Sequence, residues 1–152
     1  MGSHADRVSA ELAATLAERC PDFAWTTEHY VGRTPVDVAG EGDQRVFIEI
    51  EWRRADPANN TVKLFRHLSD SGVDGPVSVV QLFTRYYDLQ SGGVSSKRKN
   101  AEFVGERIAS TFDHVSYEAA TLDIDPPKRG GDLPEGWQAV VADAADGLAG
   151  NL

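Results

Sequence analysis

Two glutamates stand two residues apart in a segment that otherwise reads as a buried strand. Glu49 and Glu51 lie within Arg45–Trp52. Because side chains alternate across a strand, the two faces carry different residues: Val46, Ile48, Ile50 and Trp52 on one, and Arg45, Phe47, Glu49, Glu51 and then Arg53 on the other. We expect the first face to pack on a helix, and the second to hold two carboxylates about 7 Å apart.

A third carboxylate is expected beside this pair. Asp37 lies in the short strand predicted at Thr34–Ala39, and the turn sequence Gly40–Gln44 should join that strand to Arg45–Trp52 as a hairpin. Clustered carboxylates raise one another's pKa values, and a divalent cation removes that repulsion. Mg²⁺ prefers carboxylate oxygens together with water or phosphate, and it activates water for attack on phosphodiesters. The acids therefore indicate a Mg²⁺ site, with Mn²⁺ as a substitute, for phosphoryl chemistry.

Paired strand acids have a second interpretation, in which they form the outward, solvated face of an edge strand. The protein would then be a small interaction module without a metal site. The burial of Glu49 separates the two interpretations. An exposed Glu49 favours the surface role, whereas a Glu49 buried beside Asp37 excludes it.

Hydrophobic periodicity and turn residues predict the elements that position these acids. Helices are predicted at Asp6–Arg19, from Pro57 with Asp56 as N-cap, at Ser96–Phe112 and at Trp137–Leu148. Further strands are predicted at Asp22–Val31, Pro76–Tyr87 and Val115–Ile124. The order predicts one mixed α/β domain over residues 5–152. Residues 1–4 read as an expression-vector scar and are left out of this prediction.

Pro35-Val36-Asp37, a hairpin and Glu49-Ile50-Glu51 together resemble the PD-(D/E)XK nuclease superfamily, over roughly Asp6 to Phe112 or Ile124. The resemblance implies a restriction-endonuclease-like α-β-β-β-α-β core with extra C-terminal helix, strand and helix elements. It implies that Asp37 and Glu49 bind the metal. It also implies a Mg²⁺-dependent DNA endonuclease, linked to restriction or defence.

Glu51 stands where that superfamily usually has a lysine, although some type II restriction endonucleases are similar in having Glu-X-Glu. By this resemblance Glu51 is a metal ligand or a base. A cation is expected from elsewhere, with Lys63 on the following helix as first candidate and Arg53 as second. The resemblance also implies an acid from the first helix at the site, and we favour Glu11 over Glu18.

The net charge of −9 disfavours non-specific nucleic-acid binding, so any such surface must be local. The candidate DNA-contacting residues are Arg53, Arg54, Arg85, Tyr86, Lys97, Arg98 and Lys99. A chain of 152 residues leaves little room for a recognition domain. Cutting a duplex is therefore expected to need a homodimer or a partner subunit that supplies specificity. The alternative is a catalytically inactive nuclease-fold subunit acting as a nucleic-acid-binding or assembly module.

Cys20 is the sole cysteine, so an intrachain disulfide and a cysteine zinc cluster are both excluded. A reducing, cytoplasmic location is expected on this ground. No apolar run approaches the length of a membrane-spanning helix, so no membrane association is expected either.

Overall fold

A computed structural model describes residues 3–71 and 73–152. Its helices are α1 (Ser3–Arg19), α2 (Pro57–Ser71), α3 (Ser96–Thr111) and α4 (Trp137–Ala149). Its strands are β1 (Ala24–Val31), β2 (Thr34–Glu41), β3 (Arg45–Glu51), β4 (Val77–Thr84) and β5 (Val115–Leu122). The predicted order of elements and the mixed α/β class are confirmed.

The strands form one sheet in the order β1-β2-β3-β4-β5. The first three are an antiparallel meander, whereas β3, β4 and β5 are parallel neighbours. Parallel neighbours need crossover connections, and α2 and α3 supply them. The sheet is therefore mixed, and its central strand β3 has an antiparallel neighbour on one side and a parallel neighbour on the other.

Helices cover both faces of β3. Val46, Ile48 and Ile50 pack in one cluster with residues of α1 and α4, as the alternation predicts. Phe47, on the opposite face, packs with Leu64 of α2 and residues of α3. Because both faces are covered, the acids of β3 lie inside the domain and not on its surface.

The predicted strand at Pro76–Tyr87 ends early. β4 stops at Thr84, and Arg85–Tyr87 form a 3₁₀ turn. In this turn the ring centroids of Phe83 and Tyr87 are 5.5 Å apart. In a continued strand, two residues four positions apart would be separated by about 13 Å. Burial of Tyr87 therefore overrides the strand propensity of this segment.

Two of the four N-terminal residues left out of the prediction take part in the fold, while Met1 and Gly2 lie outside the described residues. Ser3 and His4 lie in the first turn of α1, and His4 Nε2 is 2.7 Å from the backbone oxygen of Gly131. Among residues 3–71 and 73–152, no helix combines the length and the apolar character needed to cross a membrane.

Candidate functional site

The ladder between β2 and β3 stops one residue short of the acids. Backbone pairing runs from Glu41 and Arg45 to Val38 and Ile48. Beyond that point the N–H of Ile50 donates to Oδ2 of Asp37, at 2.7 Å. Because a side chain replaces a backbone carbonyl as the acceptor, the carboxylate of Asp37 is held against the end of β3.

Asp37 and Glu49 form a carboxyl pair across the two strands. Glu49 is buried, with 6% of its surface exposed, and its carboxyl group hydrogen-bonds that of partly buried Asp37. Burial, followed by the charges of Asp37 and Glu51, raises the pKa of Glu49 well above its ordinary value. Burial also raises the pKa of Asp37, although the Ile50 N–H opposes that change. This placement excludes the interpretation of Glu49 as a solvated surface charge.

Glu51 is fully buried and held by side-chain amides from two other elements. Asn60 Nδ2 of α2 lies 3.2 and 3.3 Å from the two carboxylate oxygens of Glu51. Gln81 Nε2 of β4 donates to Oε1 of Glu51 at 3.2 Å. Burial raises the pKa of Glu51 to about 7, although these two amides act in the opposite direction.

A tyrosine behind Gln81 determines which end of that amide faces Glu51. The hydroxyl of Tyr117 donates to Oε1 of Gln81 at 2.6 Å, which leaves the amide nitrogen for the carboxylate. Sequence reasoning missed Asn60, Gln81 and Tyr117. The available signal for Gln81 was an amide within the otherwise apolar run Val79–Phe83.

Arg54 is the cation beside the carboxylates. Its Nε lies 4.0 Å from Oε2 of Glu51, and its charge lowers the pKa of Asp37, Glu49 and Glu51. The hydroxyl of Tyr87 accepts a bond from the N–H of Arg54 at 2.8 Å and donates to its carbonyl at 3.1 Å. Burial raises the pKa of Tyr87 to about 12, so this hydroxyl keeps its proton.

The two cations expected from the sequence lie elsewhere. Lys63 is exposed on α2, one turn beyond Asn60, and makes none of the described hydrogen bonds or ion pairs with the carboxylates. Arg53 Nη1 donates to the carbonyl of Pro127 at 3.3 Å, and its guanidinium lies 5.4 Å from the ring centroid of Tyr86. β3 ends at Glu51. The side chains of Arg53 and Arg54 therefore do not continue the alternation between the two faces of that strand.

The helix acid nearest to Asp37 is Asp6 and not Glu11. A cleft of about 230 Å³ is lined by Asp6, Ser9, Thr27, Glu28 and Asp37. The charge of Asp6 raises the pKa of Asp37. Five residues rotate a helix by about 140°, which places Glu11 on a different face of α1 from Asp6. Asp6, and not Glu11, therefore lines the cleft beside Asp37, and a role for Glu11 as a metal ligand stays a prediction.

Glu28 lies at a break in the β1–β2 ladder, directly across from Asp37. The pairs Thr27–Val38 and His29–Val36 flank it, and its φ is 55°. A non-glycine residue with positive φ is strained, and such residues concentrate at functional sites. Sequence reasoning placed Glu28 in a regular strand and missed this acid.

Two of the expected DNA-contacting arginines have structural roles. Arg85 pairs with three carboxylates, those of Asp88, Asp123 and Asp125, at 3.5 to 3.8 Å. These ion pairs place its guanidinium, which is 49% exposed, beside three acids, and a base or phosphate contact at Arg85 stays a prediction.

Arg98 is the second. It is buried, with Nε 3.0 Å from Oε2 of Glu102 and Nη1 2.8 Å from Oγ1 of Thr121. Its guanidinium also lies 4.8 Å from the ring centroid of Phe83. Arg98 is therefore part of the core between α3 and β5, which leaves little of its side chain accessible, and a DNA contact at Arg98 stays an untested prediction.

Three of the other expected contacts form an exposed cationic surface, which we call the Tyr86 surface and define by Arg53, Tyr86 and Lys97. The ring of Tyr86, 40% exposed, lies 5.4 Å from the guanidinium of Arg53 and 5.7 Å from Nζ of Lys97. Lys99 is exposed in the same first turn of α3. Tyr86 also packs edge-on against Tyr87, at 5.1 Å, which connects this surface to the backbone of Arg54.

The carboxylates fit Mg²⁺ in chemistry, although the ion would have few protein ligands. In the part of the chain that the structure describes, no group of three or more His, Cys, Asp or Glu side chains is arranged to hold a metal ion. Mg²⁺, however, keeps several waters and commonly binds through one or two carboxylates plus substrate phosphate. The pair of Asp37 and Glu49 meets that requirement, whereas Glu51 is engaged by amides.

No protein-family model matches the chain, and no curated protein matches it either.

Proposed function

We propose that this protein is a Mg²⁺-dependent endonuclease that hydrolyses DNA phosphodiester bonds, in restriction or defence, and that it belongs to the PD-(D/E)XK group. The observation that carries the proposal is the Asp37–Glu49 pair. Two acidic side chains from neighbouring strands meet in a largely buried position, and burial raises the pKa of both. A bound divalent cation would favour the ionised form of both groups and remove their repulsion.

Asp37 and Glu49 would hold the ion. When bound, Mg²⁺ would neutralise charge on the phosphate and make a bound water more acidic. The chain's own residues do the rest of the positioning. Ile50 holds the carboxylate of Asp37 through its N–H, and Asn60 and Gln81 hold Glu51 two residues beyond Glu49.

The reaction is hydrolysis of a phosphodiester. The oxygen of water bonds to phosphorus while one phosphorus–oxygen ester bond breaks, which yields a phosphomonoester and an alcohol. One water proton goes to a base, and the departing oxygen receives a proton. Glu51 is the carboxylate nearest to the ligand pair along β3, and we assign it the role of base.

The Tyr86 surface supports DNA as the substrate. Its two cations and its exposed ring lie beside the segment that carries Arg54, in a chain whose net charge is −9. Cations bind the phosphate backbone, and an aromatic ring can stack on an unpaired base. One such site cuts one strand. Cleavage of a duplex would use a homodimer or a partner subunit.

The test is plasmid cleavage with Mg²⁺ or Mn²⁺ by the wild-type protein and by Glu49→Gln. Glu49→Gln preserves shape and removes a metal-binding charge, so cleavage should fall at least about a hundredfold. Glu106→Gln is the matched control, because Glu106 is exposed on the outer face of α3. Absence of cleavage by the wild type with either ion, or full cleavage by Glu49→Gln, contradicts the proposal.

A second candidate is a nucleic-acid-binding or assembly module without catalysis. Glu51 favours it, because this acid stands in place of a lysine and its oxygens accept bonds from Asn60 and Gln81. Calorimetric titration with Mn²⁺ separates the two candidates. A nuclease should show a site that Asp37→Asn removes, whereas a binding module should show DNA binding and no such site.

A further inference from the structure

We propose that Arg54 is the cation that contacts the scissile phosphate beside the Asp37–Glu49 pair. This inference rests on the proposed nuclease function and adds a residue and its role to it. It follows from three features of Arg54: the position of its side chain, the anchoring of its backbone, and the bonds that fix its carboxylate neighbour.

The side chain of Arg54 lies between the buried acids and solvent. Its Nε is 4.0 Å from Oε2 of Glu51, yet its side chain is 60% exposed. A guanidinium has five N–H donors, and a contact of 4.0 Å between Nε and Glu51 leaves donors free for an incoming phosphate. Bidentate arginine–phosphate bonds are among the stronger charge-assisted hydrogen bonds.

The backbone of Arg54 is anchored although it lies in a loop. The hydroxyl of buried Tyr87 bonds both the N–H and the carbonyl of Arg54, at 2.8 and 3.1 Å. The ring of Tyr87 is fixed by edge contacts with Phe83 and Tyr86, at 5.5 and 5.1 Å between centroids. Because one rigid group holds both polar atoms, the start of the Arg54 side chain has a defined position, as a phosphate contact requires.

Glu51 is also held in place, so its carboxylate has a defined position beside the guanidinium of Arg54. Asn60 and Gln81 donate to its oxygens, and Tyr117 donates to Gln81 at 2.6 Å. These bonds come from α2, β4 and β5, the elements around the end of β3. Glu51 therefore acts as a positioning residue for Arg54, in addition to any proton it accepts.

The neighbouring cations are less suited to this role. Arg53 is turned to Pro127 and Tyr86, and Lys63 is exposed on α2 without a described bond to the carboxylates. Arg54 alone among these three has an ion pair with one of the acids in the described part of the chain.

The test compares Arg54→Ala and Arg54→Lys with wild type in steady-state cleavage. We expect kcat to fall about a hundredfold or more in Arg54→Ala, the usual loss when one donor to developing charge is removed. Arg54→Lys should recover part of that loss. Arg107→Ala is the control, because Arg107 is an exposed arginine near the C-terminal end of α3, away from the end of β3.

Chemical rescue identifies a phosphate contact more specifically. Methylguanidinium at millimolar concentration should raise the rate of Arg54→Ala and leave that of Arg107→Ala unchanged, which a structural role for Arg54 does not predict. Tyr87→Phe, which removes the anchoring hydroxyl, should lower kcat about tenfold with little change in KM. Calorimetry should show that Arg54→Ala and Tyr87→Phe both keep the Mn²⁺ site.

The outcomes separate this inference from the proposed function. Wild-type cleavage with an equally active Arg54→Ala overturns the role of Arg54 and leaves the nuclease proposal standing. Loss of cleavage without rescue by methylguanidinium and with loss of the Mn²⁺ site also overturns it, since Arg54 would then support the fold. An inactive wild type overturns both.

Discussion

The carboxylate of Asp37 takes the place of a backbone acceptor for Ile50, whose N–H lies 2.7 Å from Oδ2. One oxygen of the side chain thus completes the strand pairing, while the carboxyl group also contacts Glu49. The residue that ends the ladder between β2 and β3 is therefore the one that brings the two acids together.

Asp37→Asn should stabilise the metal-free protein at pH 8. The amide oxygen can still accept from Ile50, while the repulsion with Glu49 and Glu51 is lost. A gain of about 1 kcal/mol would raise Tm by about 2–4 °C in a domain of this size. Scanning calorimetry in EDTA measures it, with Asp43→Asn in the exposed β2–β3 turn as control. A lower Tm in Asp37→Asn contradicts this reading of the pair.

Divalent cations should make the wild type more stable than Asp37→Asn, the reverse of the order expected without metal. At pH 8, Mn²⁺ at 100 times its dissociation constant should stabilise the wild type by about 2.7 kcal/mol. Asp37→Asn and Glu49→Gln should gain little, because each lacks one of the two ionised ligands. Melting with and without the ion measures the difference, and equal gains in all three proteins would exclude the pair as the site.

The stability of the protein should fall as pH rises through the range in which Glu51 ionises. Its pKa is about 7 in the folded protein, against an ordinary value of 4.5. The folded state therefore binds the proton more tightly than the unfolded state, so stability is lost between about pH 4.5 and 7. The loss is about 3 kcal/mol, at 1.36 kcal/mol per pKa unit.

Glu51→Gln should remove that part of the pH dependence. Its amide oxygen can accept from Asn60 and Gln81, both of which donate to Oε1. Urea unfolding at a series of pH values measures how the free energy of unfolding changes with pH. Glu106→Gln is the control and should show the wild-type pH dependence. A wild-type slope in Glu51→Gln would show that Glu51 ionises normally.

Gly105→Ala should lower stability through Tyr117. A Cβ at Gly105, in α3, would overlap the ring of Tyr117, so the ring must move and its hydroxyl must leave Gln81. Overpacking of this kind costs about 1–3 kcal/mol. Gly147→Ala is the control, since a Cβ there meets nothing within 4 Å and alanine favours the helix. Unfolding in urea compares them, and equal effects would contradict close packing at Gly105.

Lys97 and Arg98 are adjacent in sequence but should respond differently to alanine. Lys97 is exposed beside Tyr86, so Lys97→Ala should weaken DNA binding and reduce the salt slope by about 0.9. Arg98 is buried with Glu102 and Thr121, so Arg98→Ala should lower Tm and leave the salt slope unchanged. Binding measured against salt concentration, together with melting curves, separates them. A reduced slope in Arg98→Ala would contradict its structural role.

The sequence by itself determined the elements and one pairing at the site. Helix and strand periodicities are local, and the Gly40–Gln44 turn connects two adjacent strands. These patterns predicted the element order and the neighbouring positions of Asp37 and Glu49. Both residues lie on the same hairpin, so no distant part of the chain was needed to bring them together.

The tertiary structure alone decided which other residues join them. Glu51 meets Asn60 and Gln81 because α2 and β4 fold back beside the end of β3, and Arg54 is anchored by a tyrosine 33 residues further along the chain. Likewise, Asp6 rather than Glu11 lines the cleft beside Asp37 because of how α1 is rotated on the sheet. These contacts depend on packing between distant segments, which a local period of two or 3.6 residues does not encode.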